Sequence, residues 1–326
     1  MHTRDEQAVF VEASARLHFG VLDLRGARGR WFGGIGASMA KPTLLVSAER
    51  ADTLVVHGED AARARGFARL FLAHHSLRGG AVVHVRRALP SHVGLGSGTQ
   101  LALAVARALA ELYGVENDAR ALATAVGRGK RSAIGTWTFD DGGLVVEGGR
   151  RENSDECGPL IARMPIPSTW RCVVAIPEGA PGISGADEAA AFARLPPPSE
   201  RDVERVAHIV LMSLLPSLAD ADLNGFGRAL SDVQEITGRW FAPVQGGTFA
   251  PGASADLVRR LSEWGASGVG QSSWGPAVYG IVDSDEAMNH LAERAVEAMG
   301  ASAIVYAAPF RSDGAHVWRA AVHATY

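Results

Sequence analysis

The sequence predicts an α+β protein built as two lobes, and three observations carry that expectation. A glycine- and hydroxyl-rich stretch, PSHVGLGSGTQLALA, follows a strand-like segment and opens a long alanine- and leucine-rich helix. Residues 256–264, 277–283, 285–299 and 302–308 alternate helix and strand in the order of a split βαβ unit. A length of 326 residues is enough for two lobes that share an interface. The lobes are expected at 1–178, carrying the glycine loop, and at 179–326.

The elements follow in order. AVFVE (8–12) and TLLVS (43–47) read as strands, with DLRGARGRWFGGIGAS between them as a turn-rich stretch. VVHVRRAL (82–89) alternates apolar and polar residues until Leu89-Pro90 ends it. Beyond the glycine loop a helix runs from about Thr99 to Tyr113, and Gly114 stops it. Asp118 is placed to cap a second helix that reaches Val126. GLVVEGG (143–149) and WRCVVAIP (170–177) are strand-like. The stretch 179–199, with Pro196-Pro197-Pro198 near its end, reads as a surface excursion or a lobe boundary, and 200–218 and 223–237 read as helices.

Composition narrows the function classes. With 47% hydrophobic residues, 21% charged residues and a net charge of −3, no basic excess points to nucleic acid, so any anion site is local. The N-terminal MHTRDEQAVF has no apolar leader, and no uncharged run suits a membrane span. Cys157 and Cys172 form neither a disulfide framework nor a zinc motif. A cytoplasmic protein is expected.

The glycine loop is the first candidate site. The leading N–H groups of a helix lack intrahelical partners and carry partial positive charge. Gly94, Gly96 and Gly98 let backbone approach an anion, and Ser97 and Thr99 add hydroxyl donors. The other reading is a tight strand-to-helix turn. No Lys-Ser/Thr pair follows the glycines, so this is not a Walker A loop. Leu101 fills the third glycine's place of a dinucleotide fingerprint. Downstream, no acidic residue lies between Asp118 and Asp140, whereas Arg120, Arg128, Lys130 and Arg131 do. Such a segment suits a polyanionic substrate and is poorly equipped to deprotonate a hydroxyl; as a plain alternative it is an exposed basic helix end.

PSHVGLGSGTQLALA resembles the central motif of the GHMP kinase superfamily, P-x-x-x-G-L-G-S-S-x-A, whose loop wraps the phosphates of ATP. Gly98 replaces its second serine and Gln100 its alanine. The superfamily's kinases also carry S-G-x-D; here RSAIG aligns Ser132 with the serine and puts Gly135 where the aspartate should be, and Thr124 takes the place of a metal-holding glutamate. Residues 15–38, 127–149 and 268–282, the last containing GQSSWGP, resemble the β-ribofuranosylaminobenzene 5′-phosphate synthases, a non-kinase branch. That resemblance runs over nearly the whole chain.

It implies the two-lobed GHMP kinase fold with a ferredoxin-like C-terminal lobe. It also implies decarboxylative coupling of phosphoribosyl pyrophosphate (PRPP) to an aromatic carboxylate of the 4-aminobenzoate or 4-hydroxybenzoate type, or to a pyrazole carboxylate in a C-nucleoside pathway. The alternatives are an ATP-dependent small-molecule kinase and an inactive PRPP or nucleotide sensor. A Mg²⁺ ion on Ser97 and a homodimer are expected. Carried onto this chain, the resemblance makes Arg16, His18, Arg30, Lys130 and Arg131 catalytic candidates. Gly94, Gly96, Ser97, Gly98, Thr99, Gln100, Ser132, Asp140, Gln271, Ser272 and Ser273 would hold PRPP. Trp31, Phe32, Trp137 and Trp274 would wall the acceptor, or else are ordinary packing.

Overall fold

A computed structural model describes residues 7–116, 118–179, 182–183, 185–300 and 304–321. The chain begins with a long antiparallel hairpin of β1 (Gln7–Asp23) and β2 (Arg30–Ala51). The stretch expected to be turn-rich is therefore mostly strand, and only residues 24–29 turn. Its glycines belong to the arms: a Cβ on Gly36 would collide with Ile134 and with the Leu17 carbonyl. Composition alone reads such a segment as loop, whereas close packing demands glycine inside a strand.

The first sheet is completed by β3 (Val55–Gly58), β4 (Gly80–Arg87), β5 (Leu144–Glu147), β6 (Arg150–Arg151), β7 (Leu160–Met164) and β12 (His316–Ala321). Its main path is β12-β1-β2-β4-β3, with β5 and β6 on β2 and β7 on β5. Packed against it are α1 (Ala61–His74), α2 (Ser97–Tyr113) and α4 (Ile134–Asp141), and α3 (Ala119–Ala125) packs on these helices. Every residue of α2 from Gln100 to Ala106 is buried, as a helix apolar on all sides must be. Asp118 caps α3 as expected, accepting from the Ala121 amide at 2.7 Å.

The second sheet is antiparallel throughout, with β11 (Ile304–Pro309), β8 (Arg171–Ile176), β10 (Val278–Val282) and β9 (Gly268–Gln271) in that spatial order. Strand alternation gives it two buried faces. Val173, Ala175 and Val278 pack with α9 (Ala253–Glu263) and α10 (Asp285–Met299). Cys172, Val174 and Tyr279 join the main core with α8 (Leu223–Gln245). The sheets meet where Phe19 and Tyr279 contact at 5.1 Å. Although β8 precedes the expected 178/179 division it sits in the second sheet, and β12 returns to the first.

Between β8 and α8 lie α5 (Gly185–Arg194), α6 (Glu200–Ile209), a π-helical turn Val210–Leu214 and α7 (Leu215–Ala219). Within 179–199, α5 lies on the surface but turns inward at fully buried Ala191 and at Phe192, which meets Phe241 of α8. Among the described residues, no helix is long and apolar enough to cross a membrane.

Candidate active site

Two register shifts in the β1–β2 ladder, between Ser14 and Arg16 and between His18 and Gly20, flank the first two candidates. Such a shift bends the strand and re-aims nearby side chains. Arg16 thereby reaches the glycine loop, where its Nη1 donates to the Gly94 carbonyl at 2.6 Å and its amide to Leu95 at 3.1 Å. His18 donates its amide to the Ser272 hydroxyl at 2.9 Å, and that hydroxyl donates to Gly94 at 2.7 Å. Two distant segments, the middle of β1 and the residues after β9, thus meet on the glycine loop. Gly94 has φ +94°, and a Cβ there would strike the Ser272 carbonyl. Gly96 has φ +78° and would bring its Cβ to 2.9 Å from Cγ of Arg16.

Beyond the loop stands a second layer of cations. A Cβ on Gly98 would lie 2.8 Å from Nη2 of Arg63 and 3.3 Å from Nη2 of Arg128. Arg128 stacks over Phe67 at 4.8 Å, and burial, then Arg63 and Arg131, lower its pKa while Glu188 opposes the shift. Burial likewise brings Arg16 down to about 10, again against Glu188. His18 falls to about 3 through burial and the Arg16 charge, so its imidazole is neutral at pH 7. Arg63 pairs with Asp60 at 3.0 Å, yet four guanidinia gathered around one loop and two carboxylates leave a net positive site suited to an anion.

Arg16 leads from this cradle into a cavity lined by residues of β1, β2, α5, α8 and the segment after β9. Its aromatic wall is a cluster: Phe192 lies 5.5 Å from both Phe32 and Trp274, and Phe241 lies 4.8 Å from Trp274, all edge-on. Gln234, Gln245 and Gln271 form an amide chain beside it, with Gln271 donating to Gln245 at 2.9 Å. At the mouth Arg131 pairs with Glu188 at 2.6 Å.

The predicted residues divide accordingly. Arg16, His18, Phe32, Arg131, Ser132, Gln271, Ser273 and Trp274 line the cavity. Gly94, Gly96, Ser97, Gly98 and Thr99 form the loop and the first turn of α2, with Ser272 clamped beneath. The rest lie elsewhere. Arg30 donates to the Gly149 carbonyl at 2.8 Å, Lys130 pairs with exposed Asp155 at 2.6 Å, and Trp137 donates to Gly158 at 2.9 Å. Trp31 covers Gly26 at the hairpin turn. Gln100 braces α2 to α4 by donating to Gly135 at 2.9 Å. Asp140 lies near the end of α4, its pKa raised by partial desolvation of the carboxyl and by Asp141 and Asp118. Sequence reasoning missed Arg63, Glu188, Phe192 and Phe241, which sit outside every recognisable motif.

Fold and loop together define a member of the GHMP kinase superfamily. The GHMP kinases N terminal domain matches residues 62–142 and the GHMP kinases C terminal domain residues 214–301. A homoserine kinase from Cytophaga hutchinsonii superposes with a TM-score of 0.73 at 17% identity, over 98% of this chain and 99% of that one. A mevalonate pyrophosphate decarboxylase from Streptococcus pyogenes does so with a TM-score of 0.68 at 13% identity, over 95% and 99%. Sequence similarity is more specific. The beta-ribofuranosylphenol 5′-phosphate synthase of Methanothermobacter thermautotrophicus is 37% identical over 318 residues, covering 91% of this chain and 95% of the relative. That of Archaeoglobus fulgidus is 38% identical over 283 residues, covering 83% and 87%. This chain belongs to the β-ribofuranosylphenol 5′-phosphate synthase family.

Proposed function

We propose that the chain catalyses decarboxylative C-ribosylation, joining C1 of PRPP to the ring carbon that bears the carboxylate of a 4-hydroxybenzoate- or 4-aminobenzoate-type acceptor. The observation that carries this reading is the direct adjoining of an arginine cradle on the glycine loop to an aromatic-walled cavity, with Arg16 at the junction. The family relationship supports it independently.

In this reading the diphosphate rests on the loop, against Arg16, Arg63 and Arg128. Cationic groups aimed at a leaving diphosphate stabilise the charge it gains as the C1–O bond breaks. The acceptor ring lies among Phe32, Phe192, Phe241 and Trp274, its carboxylate within reach of Arg131 and neutral His18. Ring π electrons form the C–C bond, the C–CO₂ electron pair returns to the ring, and no proton has to be removed. Holding both reactants at one junction supplies the orientation such a step needs. Mg²⁺ keeps several waters and takes few protein ligands beside substrate phosphates. Ser97, buried in the first turn of α2, fits that sparse role, and the ion would neutralise diphosphate charge.

The test is turnover of PRPP with a panel of hydroxy- and aminobenzoates and pyrazole carboxylates, followed for CO₂, pyrophosphate and riboside mass. Equal CO₂ and pyrophosphate with a C-linked product are expected, and a decarboxylated acceptor should be inert. Phosphoryl transfer from ATP to a hydroxylated acceptor would return the chain to the kinases.

A further inference from the structure

We propose that Glu188 is a catalytic residue whose carboxylate faces the ribosyl centre at the junction of the arginine cradle and the aromatic cavity, where it stabilises the positive charge that develops on C1. The inference rests on the ribosyl-transfer reading above.

The placement comes from four observations. Glu188 is the one carboxylate among the described residues lining the cavity. Its Oε2 lies 2.6 Å from Nη2 of Arg131, and its charge is also felt at Arg16 and Arg128, so it sits among three guanidinia. Four residues on, hence on the same face of α5, Phe192 enters the aromatic cluster. The Arg131 guanidinium lies 5.8 Å from that ring. One helix face therefore spans both halves of the site, with the carboxylate at the cationic end and the ring at the apolar end.

A stability role accounts poorly for this arrangement. The pair is partly open at the cavity mouth, and exposed ion pairs contribute little. Ribosyl transfer gives the carboxylate a task. As the C1–O bond breaks, its electron pair leaves with the diphosphate, which draws on the arginines. Positive charge spreads over C1 and the ring oxygen, opposite in sign to Glu188. The ring carbon then attacks C1, and CO₂ departs leaving its bonding pair in the ring. Glu188 exchanges no proton. A carboxylate already fixed where cationic charge appears needs no reorganisation during the step.

The experiment measures kcat at saturating PRPP, Mg²⁺ and acceptor, and PRPP affinity by calorimetry, for wild type, Glu188→Gln, Glu188→Asp, Arg131→Ala and the Arg131→Ala/Glu188→Gln double variant. Thermal melts control for folding. In Glu188→Gln, kcat is expected to fall about 10²- to 10³-fold, the scale seen when one preorganised charge-stabilising group is removed. PRPP affinity should stay within about threefold, and Glu188→Asp should recover part of the loss. The drop must persist in the Arg131→Ala background, since a double-variant cycle separates a direct role from one that acts through Arg131. Five outcomes overturn the proposal. Unchanged kcat with tighter PRPP binding would make Glu188 a displaceable plug of the cradle. Loss of Mg²⁺-dependent PRPP affinity in place of kcat would make it a metal ligand. Disappearance of the effect without Arg131 would make it a brace. Absence of any wild-type ribosyl transfer would remove the underlying reading and this inference with it, whereas wild-type activity matched by Glu188→Gln removes the inference alone.

Discussion

At Gly98 the missing side chain has a physical explanation. The superfamily's kinases carry a serine there, but in this chain Arg63 and Arg128 occupy the space a side chain would need. Gly135, where the kinases place their aspartate, is similarly crowded: a Cβ would lie 2.9 Å from Cγ2 of Thr99. Both departures therefore belong to the packing of this site, and an aspartate at 135 would press α4 away from α2 before it could act as a base. Glycines 94 and 98 should differ in a measurable way. Gly98→Ala pushes on the movable ends of arginines, so the variant should melt near the wild-type temperature while PRPP binding weakens by about tenfold, the scale of one charge-assisted contact. Gly94→Ala pushes on backbone and demands φ +94°, so it should cost about 2 kcal/mol or more of stability. Thermal melts and PRPP titration of both variants check this, and unaltered PRPP affinity in Gly98→Ala would detach Arg63 and Arg128 from the substrate.

Between elements, the legibility of the sequence tracked how local each element's cause is. The periodic helices α2, α3, α9 and α10 and the strands β8 and β10 could be read closely, because their apolar spacing and caps lie within the segment. The arms of the β1–β2 hairpin could not, since only packing against Ile134 and Leu17 explains Gly36 in a strand. In the site, Arg16, His18 and Arg131 stood out beside motifs, whereas Glu188 and Phe192 lie on a helix surrounded by glycines and prolines. α4 is another such case: eight residues with a glycine and two threonines make a weak helix, and a distant carboxylate supports its start. Glu147, at the end of β5, accepts from the Ala133 amide at 3.2 Å and from the Gly149 amide at 2.7 Å. Burial raises its pKa from 4.5 to about 7, against those two hydrogen bonds. Because the folded pKa exceeds the unfolded one, the native state binds more protons between these values. The stability this group contributes is present below pH 4.5 and lost as pH rises through 7. Glu147→Gln removes the titration. The unfolding free energy of wild type relative to Glu147→Gln should thus decline by on the order of 2–3 kcal/mol between about pH 5 and pH 8, as read by urea denaturation across that range. A pH-independent difference would mean that Glu147 ionises normally.

Across the whole molecule, one fold serves different reactions according to which side chains stand at the seam between its sheets. Kinases superpose on this chain at under 25% identity, so they share its architecture and say nothing of its chemistry. What sets this chain apart is the charge pattern of the seam: Gly135 stands where the kinase motif has its aspartate, and arginines converge on the loop from β1, α1 and the segment before α4. With a net charge of −3, that attraction is local. In the proposed reading, the diphosphate of PRPP would meet the loop arginines and its compact sugar would sit beside Arg16, whereas ATP would have to place its adenine as well. A ligand that binds only the native state stabilises it by RT ln(1 + [L]/Kd), about 2.7 kcal/mol at a hundredfold excess over Kd. For a chain this long, that amounts to several degrees of melting temperature. At equal concentration with Mg²⁺, PRPP should therefore raise the melting temperature by more than ATP does. The shift should shrink as ionic strength rises from about 0.05 M to 0.5 M, since salt screens the partly exposed Arg63 and Arg131. A larger shift with ATP would mean that the loop holds a nucleotide, and a shift indifferent to salt would mean that the arginines do not carry the binding.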